Sequence, residues 1–241
     1  MTRQRIGAVL GGLALALSVL ALLGLALSGP GSRMGWWTFA TGFTVMRWAA
    51  YGSGAAFVLG LLGLVFGGAR AKAAIAVVVG LGVFVVPWSL MRKARSVPPI
   101  HDITTDTDDP PAFVAVVAKR QAAQARNPPE YAGPAVAAQQ KTAYPDLVPI
   151  RLSVPPEQAF EKARAAAQAL GWEIVAAEPG EGRLEATDTT RWFGFKDDVV
   201  VRVRPDGAGS RVDVRSKSRV GRSDVGANAA RVRAFRQRLE E

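Results

Sequence analysis

The stretch Lys196–Lys217, KDDVVVRVRPDGAGSRVDVRSK, decides the fold of the second half of this chain. Val199, Val201 and Val203 fall on one side of an alternating run and Arg202 and Arg204 on the other. After Pro205–Ser210, a loop rich in turn-forming residues, Val212 and Val214 oppose Arg211, Asp213, Arg215 and Lys217. Side chains of a strand point alternately to its two faces, so this is an antiparallel hairpin with one apolar face.

Upstream, Val148–Val154 reads as a strand. Pro155-Pro156-Glu157 opens a helix that runs to Leu170 and buries Phe160, Ala163, Ala167 and Leu170, with Gly171 as its stop. Trp172–Ala176 returns as a strand, and Arg183–Thr190 alternates Leu184 and Ala186 against Glu185 and Thr187. Downstream, Ser223 is the expected cap of a last helix whose Val225, Ala229, Val232, Phe235 and Leu239 share one stripe. The order β, α, β, β, β, β, α predicts an α+β domain over 147–241, an antiparallel sheet with two helices on one face. A helix-grip arrangement of this kind can leave a ligand groove between helix and sheet.

The preceding segment, 96–146, opens with SVPPIHDITTDTDDPP and is rich in proline and acidic residues, so it reads as an extended arm. Before it lies a different material. All twenty acidic residues follow position 101, whereas the first 95 residues hold nine Lys/Arg and long apolar runs. Ile6–Leu27, uncharged over 22 residues, measures about 33 Å as a helix, enough to cross a bilayer core. Runs over 49–66 and 73–90 are shorter but also uncharged, and being apolar all round they suit lipid better than a soluble core. Residues 1–95 are therefore expected to form a membrane domain of three transmembrane helices, with the bilayer as partner. Trp36, Trp37 and Trp48 are its expected membrane-interface anchors.

The net charge of +10 belongs almost wholly to the membrane flanks, because the rest of the chain balances 21 basic against 20 acidic residues. A nucleic-acid partner is thereby disfavoured. Lys/Arg counts on the two sides of the spans nearly tie, but the Arg3/Arg5 head before a long apolar run reads as an uncleaved signal anchor. That places the soluble domain outside, in the periplasm of a bacterial inner-membrane protein. The absence of cysteine excludes disulfides and thiol chemistry, and His101 as sole histidine leaves histidine triads and multi-histidine metal centres unsupported.

Candidate ligand or partner residues come from three places. Asp102 and Asp106, with Asp108 and Asp109, form an acidic cluster that lacks the glycine and distal glutamate of a calcium loop; a solvated arm capped by Asx turns is the plainer expectation. Asp198, beside Asp197 and near Trp192, Phe193 and Phe195, suggests carboxylates under an aromatic lip. Adjacent strand residues point to opposite faces, however, so the two aspartates do not make an acid/base pair. Arg215, Ser216 and Arg219 suggest an anion grip, set against a ladder in which Arg202, Asp213, Arg215 and Glu185 neutralise one another on a solvated face. No catalytic residue, metal site or cofactor is assigned.

Several separated motifs carry a family resemblance: HDITTDTDDPPAF (His101–Phe113), AYPDL (Ala143–Leu147) and the whole of Leu170–Phe235. In this order they resemble the bacterial and plastid family called domain of unknown function 1499. The resemblance implies a membrane-attached or exported protein and transfers no activity. The expected function is that of a membrane-anchored cell-envelope protein whose soluble domain binds or assembles without catalysis, with a membrane complex as a possible partner. Small-ligand or lipid binding in the sheet–helix groove and an unrecognised enzyme are the alternatives.

Overall fold

The computed structural model describes residues 2–241 and divides into two compact units. The first comprises the residues up to Lys93 together with Arg191–Gly194, and the second Ala94–Thr190 and Phe195–Glu241.

The first unit is built on α1 (Arg3–Arg33), α2 (Phe39–Phe66) and α3 (Arg70–Ser96), three helices long and apolar enough to span a membrane. Most of their buried residues are small and fall at heptad spacing, among them Gly7, Gly11, Ala14, Ser18, Ala21 and Ser28 on α1, Ala49, Ser53, Ala56, Gly60 and Gly63 on α2, and Ala73, Ala76 and Gly80 on α3. Such small residues allow close backbone approach, the contact that holds helices together where lipid tails would supply no hydrophobic drive. Gly80 shows the demand: a Cβ there would lie 2.9 Å from the Ser53 carbonyl oxygen. The connection from α1 to α2 is short, and Thr38 Oγ1 caps α2 by accepting from the Thr41 amide at 3.3 Å. The aromatic stretch 36–48 is therefore largely helical, and Trp36 and Trp48 stay exposed.

The second unit has one antiparallel sheet made of β1 (Asp102–Thr104), β2 (Ile150–Leu152), β3 (Glu173–Glu178), β4 (Arg183–Thr189), β5 (Lys196–Asp206) and β6 (Gly209–Ser218). The order is β1-β6-β5-β4-β3, and β2 also pairs with β6, so two short strands share one edge. The β5–β6 turn is tighter than its sequence suggests: Asp206 pairs with Gly209, leaving Gly207 (φ 59°) and Ala208 between them.

Helices α6 (Pro156–Ala169) and α7 (Ala227–Glu240) lie on one face. Val199, Val201, Val203, Val212 and Val214 meet Phe160, Ala163, Val232, Phe235 and Leu239 there, and Trp172 stacks on Phe235 with ring centroids 5.3 Å apart. Phe160, Phe235 and Leu239 are at most 2% exposed. The space where a helix-grip groove would lie is thus occupied by side chains. The start of α7 also differs from expectation. Ser223 Oγ accepts from the Val225 amide, outside the helix, and the Asp224 carboxylate receives the Asn228 amide at 2.9 Å.

The largest departure concerns the arm. It holds β1 and two short helices, α4 (Ala115–Ala122) and α5 (Pro134–Ala143), and it covers the sheet face expected to be solvated. Phe113 and Val116 pack on Val200, the one valine of β5 in this run that points away from α6 and α7. Glu185, Asp213 and Arg215 are at most 2% exposed in consequence.

Candidate functional site

Beneath the arm the charged strand residues organise into two buried clusters. In the first, Arg215 forks onto Asp102, Nε to Oδ1 and Nη2 to Oδ2 at 2.9 Å each, and donates to the Pro111 and Pro129 carbonyls. Lys217 Nζ lies 3.0 Å from Asp102 Oδ2 and donates to the Glu130 carbonyl at 2.5 Å. In the second, Asp198 takes Arg120 Nη1 at 2.7 Å and both Nε and Nη2 of Arg219 at 2.9 and 2.7 Å, while the Thr187 hydroxyl donates to it at 2.8 Å. Such pairs survive burial because nearly every donor finds an acceptor. Phe113 closes the space between the clusters, with the Arg215 and Arg120 guanidiniums 4.7 and 5.7 Å from its ring centroid.

Helix α4 has no capping side chain of its own. Its amides at Val114, Ala115 and Val116 donate to the Glu185 carboxylate of β4 at 2.9–3.1 Å, and Arg183 pairs with the same carboxylate. A negative charge against the positive end of a helix completes what the helix leaves unsatisfied. On the opposite sheet face, Arg231 of α7 bridges Asp197 and Asp188, each at 2.7 Å, and donates to the Asn228 and Ser216 side-chain oxygens.

The edge strands create the open feature. The chain leaves β1 at Thr105 and comes back at Pro149 to enter β2, and between these two points the segments diverge. Thr105 bonds the intervening edge, its amide to the Val214 carbonyl at 2.9 Å and its hydroxyl from the Val214 amide at 2.8 Å. The divergence leaves a cleft of about 760 Å³. One wall is polar, with Asp106, Asp108, Asp109, Arg204 and Arg211; the other is largely apolar, with Tyr144, Pro145, Leu147, Val148 and Pro149. The polar wall is braced. Asp106 Oδ1 accepts the Asp108 and Asp109 amides at 3.2 and 3.0 Å, an Asx turn, while its Oδ2 pairs with Arg211. Asp109 holds Arg204 at 2.9 Å and Arg202 at 3.1 Å, and Arg202 beside it keeps its carboxyl below the ordinary 3.8. At the mouth, Asp108 and Lys141 form an exposed pair at 3.1 Å, weak enough to be exchanged for a ligand.

The sequence candidates are thereby sorted. Asp102 and Arg215 come together, as do Asp198 and Arg219, but in two buried clusters. Ser216 faces α7 and accepts from Arg231, so Arg215, Ser216 and Arg219 form no single grip. Asp106 braces the cleft and is not solvated, and Trp192 belongs to the first unit. His101 places Nδ1 3.3 Å from the Arg222 carbonyl oxygen. Sequence reasoning did not assign Arg120, Lys217, Glu185, Asp197 and Arg231; for Lys217, Glu185 and Asp197 the signal available was alternating strands whose charged positions carry both signs, and for Arg120 and Arg231, on helices, there was none.

Burial pushes the Lys217 ammonium down from its ordinary 10.5, with Asp102 beside it acting the other way. Tyr131, whose ring lies 5.4 Å from the Arg215 guanidinium, is pushed by burial, and secondarily by Asp102, from 10.0 to about 12. Its hydroxyl has no partner among the described residues. A folded-state value above the unfolded one means stability present below pH 10 and lost as pH rises through about 12. In an alkaline absorbance titration, Tyr131→Phe should therefore remove a late phenolate step near 12; loss of a step near 10 in its place would put Tyr131 in water.

The family model described as protein of unknown function (DUF1499) matches residues 102–239. The match takes in the arm from β1 onward, the whole sheet and α7, so both buried clusters and the cleft lie within it. The chain belongs to this family. No curated protein matches it.

Proposed function

We propose that this is a bacterial inner-membrane protein that displays a non-catalytic assembly module in the periplasm, and that a partner segment docks in the cleft between β1 and β2. The cleft carries the reading. Its volume of about 760 Å³ is within the range of ligand sites, and one charged and one apolar wall suit a polypeptide segment of mixed character. The non-catalytic part is supported by how the ionisable side chains are used: the buried carboxylates and guanidiniums are engaged with one another and with backbone groups. The orientation is supported by the Arg3/Arg5 head and the first apolar run, which read as a signal anchor.

The test is purification of the full-length protein from native membranes in mild detergent, with mass spectrometry of the proteins and small molecules that accompany it. Val148 is half exposed on the apolar wall, so Val148→Trp should fill the cleft without disturbing the core. A stoichiometric partner protein lost in that variant is the expected result. A partner retained by the variant would move the docking site elsewhere. A bound small molecule, lost in the variant, would support the second reading, a small-ligand module using the same cleft.

A further inference from the structure

We propose that the turn between β4 and β5, Arg191–Gly194, is a membrane-interface anchor whose partner is the headgroup–acyl boundary of the bilayer. The proposal depends on reading α1 and α2 as spans and is independent of what occupies the cleft.

The turn is closed at its base, where the Thr190 amide donates to the Phe195 carbonyl at 2.8 Å and the Phe195 amide to Thr190 Oγ1 at 2.9 Å. Beyond that base it carries a basic residue and two adjacent aromatic side chains, Arg191, Trp192 and Phe193, and Gly194 at φ 71° lets the chain reverse. A water-facing turn gains nothing from two large rings. A turn at the lipid–water boundary does, because an indole presents an apolar body to the acyl chains and one N–H to a polar group.

The first unit supplies the setting. Trp192 Nε1 donates to Ser28 Oγ at 3.4 Å, the Phe193 ring lies 4.7 Å from that of Phe43, and Arg33 Nη1 donates to the Arg191 carbonyl at 2.9 Å. Gly29 makes room for the indole, since a Cβ there would fall 1.7 Å from Trp192 Cδ1. Ser28, Arg33 and Phe43 belong to the end of α1 and the start of α2, where Trp36 and Trp37 also sit, so the turn extends an aromatic belt already present. Trp192 remains 46% exposed, beside Trp36 at 59%, which leaves ring surface for lipid. Arg33 and Arg191 add positive charge suited to anionic headgroups.

The chain has no cysteine, so a single spin label can be placed without background. Full-length Arg191→Cys, labelled and reconstituted in phosphatidylcholine/phosphatidylglycerol vesicles, is compared with Lys162→Cys on the exposed side of α6, using oxygen and a water-soluble nickel chelate as collision partners. Both sites are exposed, so both variants should fold. The proposal expects a several-fold higher ratio of oxygen to nickel collisions at 191 than at 162. Equal ratios would place the turn in water and overturn it. Loss of both collision rates at 191 would place the turn against protein in place of lipid, and would overturn it equally.

Discussion

Asp198→Ala is expected to destabilise the second unit by about 3–5 kcal/mol, the usual cost of removing one partner from a buried ion pair. Asp198 is fully buried and, among the described residues, is the only carboxylate bridged to either Arg120 or Arg219. Guanidiniums do not deprotonate in proteins, so both charges would stay buried without a counter-ion. Domains are stable by only about 5–15 kcal/mol, and a loss of this size should lower the thermal midpoint by on the order of 10 °C. The measurement is thermal unfolding of the full-length protein in detergent, with Asp206→Ala as reference. Asp206 pairs with an exposed Arg151 at 2.9 Å, and that pair should contribute under about 1 kcal/mol. Equal midpoints for the two variants would mean that the Asp198 cluster is hydrated.

The second large effect concerns Glu185. Glu185→Ala removes a fully buried carboxylate that accepts from three amides at the start of α4, the Val116 bond being the most deeply buried. Each orphaned buried donor costs about 1–3 kcal/mol, so a total of about 3–5 kcal/mol is expected. The loss should be local before it is global. Hydrogen exchange at Val114, Ala115 and Val116 should accelerate far more than at Val199 or Val201 in the sheet. Glu185→Gln keeps an acceptor oxygen and should recover part of the protection. Unchanged exchange at the three amides would show that α4 holds its start without β4.

These two residues show where the sequence was legible. The sheet and its two packed helices could be read because local periodicity records which side of an element is apolar: Val199, Val201 and Val203 alternate, and Phe160, Ala163 and Ala167 recur at helical spacing. The three long apolar helices could be read because each is a long uncharged run of the length a bilayer core demands. The arm could not, because what holds it is neither periodic nor local. Its contacts with the sheet are ion pairs and single bonds from strand side chains to irregular backbone, such as Arg215 to the Pro111 and Pro129 carbonyls, across 104 and 86 residues. Alternating Arg211, Asp213, Arg215 and Lys217 has the composition of a solvated ladder. Only the arm's own Asp102, Asp106 and Arg120, folded back over it, make it an interior. Glu185 looked like an ordinary outward strand residue for the same reason. The cleft was illegible because it arises where β1 and β2 part, on two segments some forty residues from each other.

The central claim, a partner seated between β1 and β2, is tested most directly by photo-crosslinking in native membranes. A benzophenone amino acid replaces Val148 on the apolar wall of the cleft, and the same probe replaces Lys162 on the exposed side of α6 as reference. The account predicts one discrete protein adduct from position 148, absent from position 162 and diminished when Lys141→Glu disrupts the pair at the cleft mouth. Identical adduct patterns from the two positions, or an adduct from 162 alone, would contradict it.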